Sequence, residues 1–327
     1  MIDFPLSYVF LRLFLLGCAS EGLYLLLARN LEPGVPFLLL WMGLFATYAF
    51  AMAVARKRSG AALALFVFLT SPLYRASLLL EAAHSPARAA PEAFLQTRSP
   101  FEAVLEEQPW KTELVSVGFD LAALAVLVAV LRASSLPAGL ALVYGWNPLL
   151  VMESAAFARL ECVPLFFLLL SFSLAQKKQR TASALAYGAS LAGPPFFWVT
   201  LPLAARALGP RLALALLVGG CAWAPLAAAT PIPDLLEWPP STRVGGSLFP
   251  ALEVLLRLFA TRSPFAAFWI CGGAWLFLAF ARLVKSGGEP LRLPRESLVL
   301  LGGFLFLAPE VLPWSFLPIA GLSAFDD

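Results

Sequence analysis

Long apolar runs separated by short polar stretches fill this chain from one end to the other. A helix that crosses a bilayer needs about 20 predominantly apolar residues. Runs of this kind cover 4–28, 33–55, 60–80, 112–131, 137–157, 160–175, 208–229, 263–284, 296–309 and 313–325. The last two are short and read as tilted partners or half-spans. Segment 181–205 is apolar too, but Gly193-Pro194-Pro195 interrupts it. Proline has no amide donor and clashes with the preceding turn, so one straight helix is not expected there. A broken, re-entrant segment is, because non-helical backbone at membrane depth must be buried in protein or line a cavity. The pattern predicts an all-α integral membrane protein, a single polytopic domain over 1–327, with roughly 10–11 transmembrane helices.

Two polar regions interrupt this series. Loop 81–111 carries Glu81, Glu92, Glu102, Glu106 and Glu107 against Arg88, Arg98 and Lys111. Loops of this length are often functional. Region 230–262 reads as a second loop followed by an amphipathic interfacial helix at 248–262, where Glu253 and Arg257 form an i,i+4 pair. Lys and Arg set the orientation. The clusters Arg56-Lys57-Arg58, Arg132, Lys177-Lys178-Arg180, Arg206/Arg211 and Arg282–Arg295 alternate correctly if they are cytoplasmic and 181–205 dips in and returns. This predicts a multi-pass protein of the cell membrane with a cytoplasmic N-terminus, and it makes 81–111 and 230–262 extracytoplasmic. The first apolar run, with Asp3 and Arg12, is followed by no small-residue cleavage site, so it reads as a span and not as a removed signal peptide.

Composition agrees. The chain is 60% hydrophobic and 13% charged, where soluble domains hold about 45–50% and about 25%. So few charges cannot cover a water-exposed surface. A formal net charge of +3 gives no case for a nucleic-acid partner. Cys18, Cys162, Cys221 and Cys271 lack metal-ligand spacing and read as small core hydrophobes. His84, the single histidine, reads as a solvated loop residue. No P-loop, dinucleotide-binding glycine motif or HExxH is present, which disfavours ATP-driven transport by this chain alone.

Charges within the apolar runs need an explanation, because each costs about 2.5–3.5 kcal/mol at the bilayer centre. Glu21, Asp120, Glu153, Arg159 and Glu161 are such charges. Glu21 can snorkel or pair with Arg12, and structural pairing is the first expectation for Asp120. The densest stretch is 141–164, ALVYGWNPLLVMESAAFARLECVP, where Asn147-Pro148 should break or kink the helix. Arg159 and Glu161 there read either as a self-neutralising surface pair or as two groups facing one cavity.

The sequence GWNPLLVMESA, followed by a polar cluster and an apolar run, resembles the GT-C superfamily of polyprenyl-phosphate-sugar-dependent glycosyltransferases, in particular the bacterial mannosyltransferase-like membrane proteins. Segments 189–202, 243–257 and 308–318 resemble further motifs of that family in the same order. The resemblance spans about 110–325, with a weaker echo around Ser99-Pro100-Phe101. It departs at the polar positions. Arg159 and Glu161 stand where the family has His and Asp, and Gly193 or Pro194 where it has Lys. Gly245 stands where it has Asn, and Leu312 where it has His. Loop 81–111 has no aspartate to match the family's catalytic one.

The resemblance implies transfer of a mannose-like sugar from a polyprenyl-phosphate donor on the extracytoplasmic face. That reaction needs a carboxylate base for the acceptor hydroxyl, cations for the donor phosphate and a greasy groove for its tail. Glu81, Glu92 and Glu161 are the candidate catalytic carboxylates. Arg88, Arg98, Arg159 and Arg243 are the candidate phosphate ligands, and Trp314 is a candidate sugar platform. The expected partners are membrane lipid and the lipid-linked sugar donor. No cofactor is implied with certainty, and a divalent metal stays open. The departures leave two alternatives: a catalytically inactive subunit with a membrane-protein partner, or a lipid or solute transporter.

Overall fold

The computed structural model describes residues 6–29, 35–55, 61–82, 109–156, 160–229, 264–286, 293–307 and 317–325. Among the described residues every regular element is helical. The first four are α1 (Leu6–Arg29), α2 (Val35–Ala55), α3 (Ala61–Ala82) and α4 (Pro109–Ala133). A 3-10 turn at Ala138–Ala141 leads into α5 (Leu142–Gly145) and α6 (Pro148–Val151), and then into a π-helix at Met152–Ala156. Next come α7 (Cys162–Gln176), α8 (Arg180–Ser190), a 3-10 segment at Pro195–Thr200 and α9 (Leu201–Leu208). The remaining helices are α10 (Leu212–Ala229), α11 (Pro264–Ser286), α12 (Leu293–Leu307) and α13 (Leu317–Ser323).

Among the described residues, three stretches are long and apolar enough to cross a membrane: Leu38–Ala55, Lys111–Ala133 and Phe197–Ala224. The third is not straight, because Gly209 adopts a φ of 57° between α9 and α10. The helices are apolar on their outer faces as well as their inner ones. On α2, Leu44, Ala51 and Ala55 are buried, while Leu39, Met42 and Phe50 are 62%, 61% and 66% exposed. Phe277 and Phe280 on α11 are exposed in the same way. A helix that is apolar all round suits a lipid surrounding.

One apolar core joins these elements, from Val9 in α1 through Leu127 in α4 and Leu168 in α7 to Phe325. Within it α1 packs on α2 and α3, α4 on α3 and α7, α7 on α8, α8 on α10, and α11 on α12. Gly188 and Gly219 allow the α8–α10 contact to be close. A methyl group on Gly188 would lie 2.6 Å from the Ala215 carbonyl oxygen and 2.7 Å from Val218 Cβ. Small residues permit such approaches in membrane bundles.

One expected span, 137–157, is broken, and so is segment 181–205. Run 137–157 divides at Trp146-Asn147. There Asn147 Oδ1 accepts from the Leu149 amide at 3.1 Å and Pro148 takes the first helical position. Asparagine at the cap and proline just after it restart a helix efficiently. Segment 181–205 folds back on itself. The hydroxyls of Tyr187 and Thr200 lie 2.9 Å apart, whereas a straight helix would separate residues so spaced by about 20 Å. Trp198 Nε1 closes the bend by donating to the Leu191 carbonyl at 2.9 Å. The bend rests on the start of α7, since a methyl group on Gly193 would lie 2.5 Å from Pro164 Cβ.

Cys162 and Cys271 are buried, as expected of small core hydrophobes, but Cys18 and Cys221 are exposed. In an apolar run with apolar faces all round, composition does not say which side a cysteine takes. The amphipathic segment at 248–262 lies outside the described residues, as do most of 81–111 and the loop beginning at 230.

Candidate functional site

Helix α4 is the spine of the polar interior. Ser116 and Asp120 lie one turn apart on it, and both are fully buried. Each gathers side chains from other elements.

Asp120 joins α3, α4 and α5. Arg75 Nε donates to Asp120 Oδ2 at 2.5 Å, and both side chains have no exposure to solvent. The Tyr144 hydroxyl donates to Asp120 Oδ1 at 2.5 Å. Arg75 Nη1 donates to the carbonyl oxygens of Ser71 at 3.0 Å and Gly145 at 3.2 Å. Gly145 O also accepts from Ser71 Oγ at 3.2 Å. The broken helix thus has its loose carbonyl satisfied by two side chains from α3. The neighbouring residues are pinned as well: Tyr48 donates to Val143 O at 3.2 Å, and Trp146 Nε1 donates to Thr70 Oγ1 at 2.8 Å. Polar backbone at this depth is tolerated only with such partners.

Pairing also resolves the charge problem. An isolated ion in an apolar interior is very costly, but Arg75 and Asp120 neutralise each other at contact distance. Arg75 Nη2 and the Tyr24 hydroxyl have no hydrogen-bond partner among the described residues. Tyr24 is close enough to Arg75 and to Glu21 to interact with both charges.

Ser116 joins α4, the π-helix and α7. Its hydroxyl donates to the Ser154 carbonyl at 3.0 Å, and its own carbonyl accepts from the Cys162 thiol at 3.1 Å. Ser154 precedes residues 157–159 in the chain and Cys162 follows them, so one serine fastens the chain on both sides of that stretch. Glu153 and Glu161 are the adjoining residues, and each is 5% exposed. Both take part in further interactions. Cys162 is within electrostatic reach of Asp120 and Glu161. Apolar side chains seal this end: Leu160 and Val163 pack with Val115, Phe119 and Phe167, and the rings of Phe119, Phe166 and Phe167 stack edge to face or tilted.

This cluster holds carboxylates in a dry setting, on and beside a π-helical turn. Such turns are rare and occur often at functional sites, and ionisable groups within apolar helices are functional candidates. The carboxylates can accept a proton or a hydroxyl hydrogen bond. No group of three metal-ligating side chains occurs among the described residues.

The sequence-derived site residues are placed unevenly. Glu161 is buried, next in the chain to Cys162. Glu81 is in the last turn of α3, the helix that packs against the π-helix. Glu92, Arg88, Arg98, Arg159, Arg243 and Trp314 lie outside the described residues. Sequence reasoning missed Arg75 and Ser116. The signal for Arg75 was available, since it is the single charge within 61–80 and Asp120 is the single charge within 114–131. Ser116 gave no signal, as buried serines are common in apolar helices.

Compared with protein-family models, with curated proteins and with solved structures, the chain matches none.

Proposed function

We propose that this chain is a GT-C-like glycosyltransferase of the cell membrane, with ten or so spans and a cytoplasmic N-terminus, that transfers a mannose-like sugar from a polyprenyl-phosphate donor on the extracytoplasmic face. The observation that carries the reading is the burial of Glu153 and Glu161, which stand on either side of Arg159 in the sequence. A buried carboxylate supplies a base for an acceptor hydroxyl, and an arginine close to it in the sequence supplies a cation for a phosphate. In this reading Glu81, Glu92 and Glu161 are the catalytic carboxylates. Arg88, Arg98, Arg159 and Arg243 hold the phosphate of the donor, and Trp314 stacks on the sugar.

The test is transfer in proteoliposomes that contain the purified chain and a labelled polyprenyl-phosphate sugar. The reading predicts covalent label on an acceptor. Exchange of the lipid-linked sugar across the bilayer without covalent transfer would instead mark a transporter.

One observation favours a second reading, a non-catalytic subunit. Gly193 or Pro194 stands where the family has lysine, and a side chain at Gly193 would meet Pro164. No cation can be restored there without moving α7. Purification in mild detergent would then give a stoichiometric protein partner and no transfer activity.

A further inference from the structure

A small cavity shares no lining residue with the Asp120 and Ser116 clusters. It is walled by Ser171, Ser183, Tyr187, Thr200, Leu203 and Ser297, among other residues of α7, α8, the bend, α9 and α12, and it has room of about 20 Å³. A site needs about 10–15 Å³ of such room to admit one water molecule. The cavity therefore fits one water and is too small for a sugar or a phosphate.

The protons around it can be assigned. Thr200 Oγ1 donates to the Phe197 carbonyl at 2.9 Å, so the Tyr187 hydroxyl must donate to Thr200. Ser183 Oγ donates to the Ser171 carbonyl at 2.9 Å, so Ser171 Oγ must donate to Ser183. All four protons are committed, and only lone pairs remain. Ser297 is the exception: its hydroxyl is 1% exposed and has no partner among the described residues. The cavity thus offers one donor and several acceptors. A water molecule accepts from Ser297 and donates twice to the lone pairs, making the roughly three bonds usual for buried water. An ion fits poorly, because the wall carries no charged side chain to offset its loss of hydration.

We infer that this cavity is an internal hydration site whose single bound water ties Ser297 of α12 to the hydroxyls of the folded-back segment 180–208. The site does not depend on the glycosyltransferase reading. It gives the broken segment a polar anchor where hydrocarbon would offer none.

The test uses the full chain in detergent. If water bridges Ser297, then Ser297→Ala breaks a satisfied bond and lowers the melting temperature by about 2 °C or more. If the cavity is dry, the same change removes an unsatisfied hydroxyl and the melting temperature stays or rises, which overturns the inference. Ala204→Val gives a second sign. It lowers stability by expelling a bound water, whereas filling an empty cavity raises it. Density for one water within hydrogen-bond distance of Ser297 Oγ in a high-resolution experimental structure is the direct expectation, and a clear void there contradicts it.

Discussion

Arg75 Nε and Asp120 Oδ2 meet at 2.5 Å between α3 and α4, with no part of either side chain exposed. The pair does more than cancel charge. Through Tyr144 and Gly145 O it also holds the break that divides run 137–157.

Removing one partner strands the other. Asp120→Asn or Arg75→Met should therefore cost about 3–5 kcal/mol, and the double change to apolar residues of similar volume should cost much less than the sum. Thermal unfolding in detergent across this double-mutant cycle measures the coupling. Additive losses would show that the two side chains do not act as a pair.

Gly188→Val should destabilise the chain by about 1–3 kcal/mol, because the added atoms meet the Ala215 carbonyl and Val218 across the α8–α10 contact. Gly220→Ala is the control. A methyl group there meets nothing within 4 Å, and alanine is the better helix former, so stability should hold or rise. Equal effects at both positions would contradict the packing described here.

Asn147 caps α6 through its side chain. Asn147→Ala should cost about 1 kcal/mol, and Asn147→Ser should recover most of it. If both variants fall equally in thermal stability, the asparagine acts through something other than its cap. The capping role gives the Asn-Pro pair a structural purpose of its own.

Local pattern made much of the architecture legible. The apolar run that became α2 could be read directly, since it is uniform and bounded by charges. The fold-back at 181–205 could be read from Gly193-Pro194-Pro195, because proline acts on the chain beside it. The break at Asn147-Pro148 was expected for the same reason. What stayed hidden were links between distant positions. Arg75 pairs with a residue on the far side of segment 81–111, and Ser116 reaches both Ser154 and Cys162. No periodicity records such meetings. Glu161 was visible as a charge beside an apolar run, but its burial follows from packing between elements far apart in the sequence. The other named cations lie in polar segments where the local pattern gives no position.

The central claim is that buried and loop carboxylates of this chain perform sugar transfer. The most direct measurement is the initial rate of transfer from a labelled polyprenyl-phosphate mannose in proteoliposomes, for the parent chain and for Glu81→Gln and Glu161→Gln, with melting temperatures taken on the same preparations. The account predicts transfer by the parent and a loss of about 100-fold or more in at least one variant, as expected for removal of a general base, with its melting temperature unchanged. Absence of transfer by the folded parent, or full activity in both variants, would contradict it.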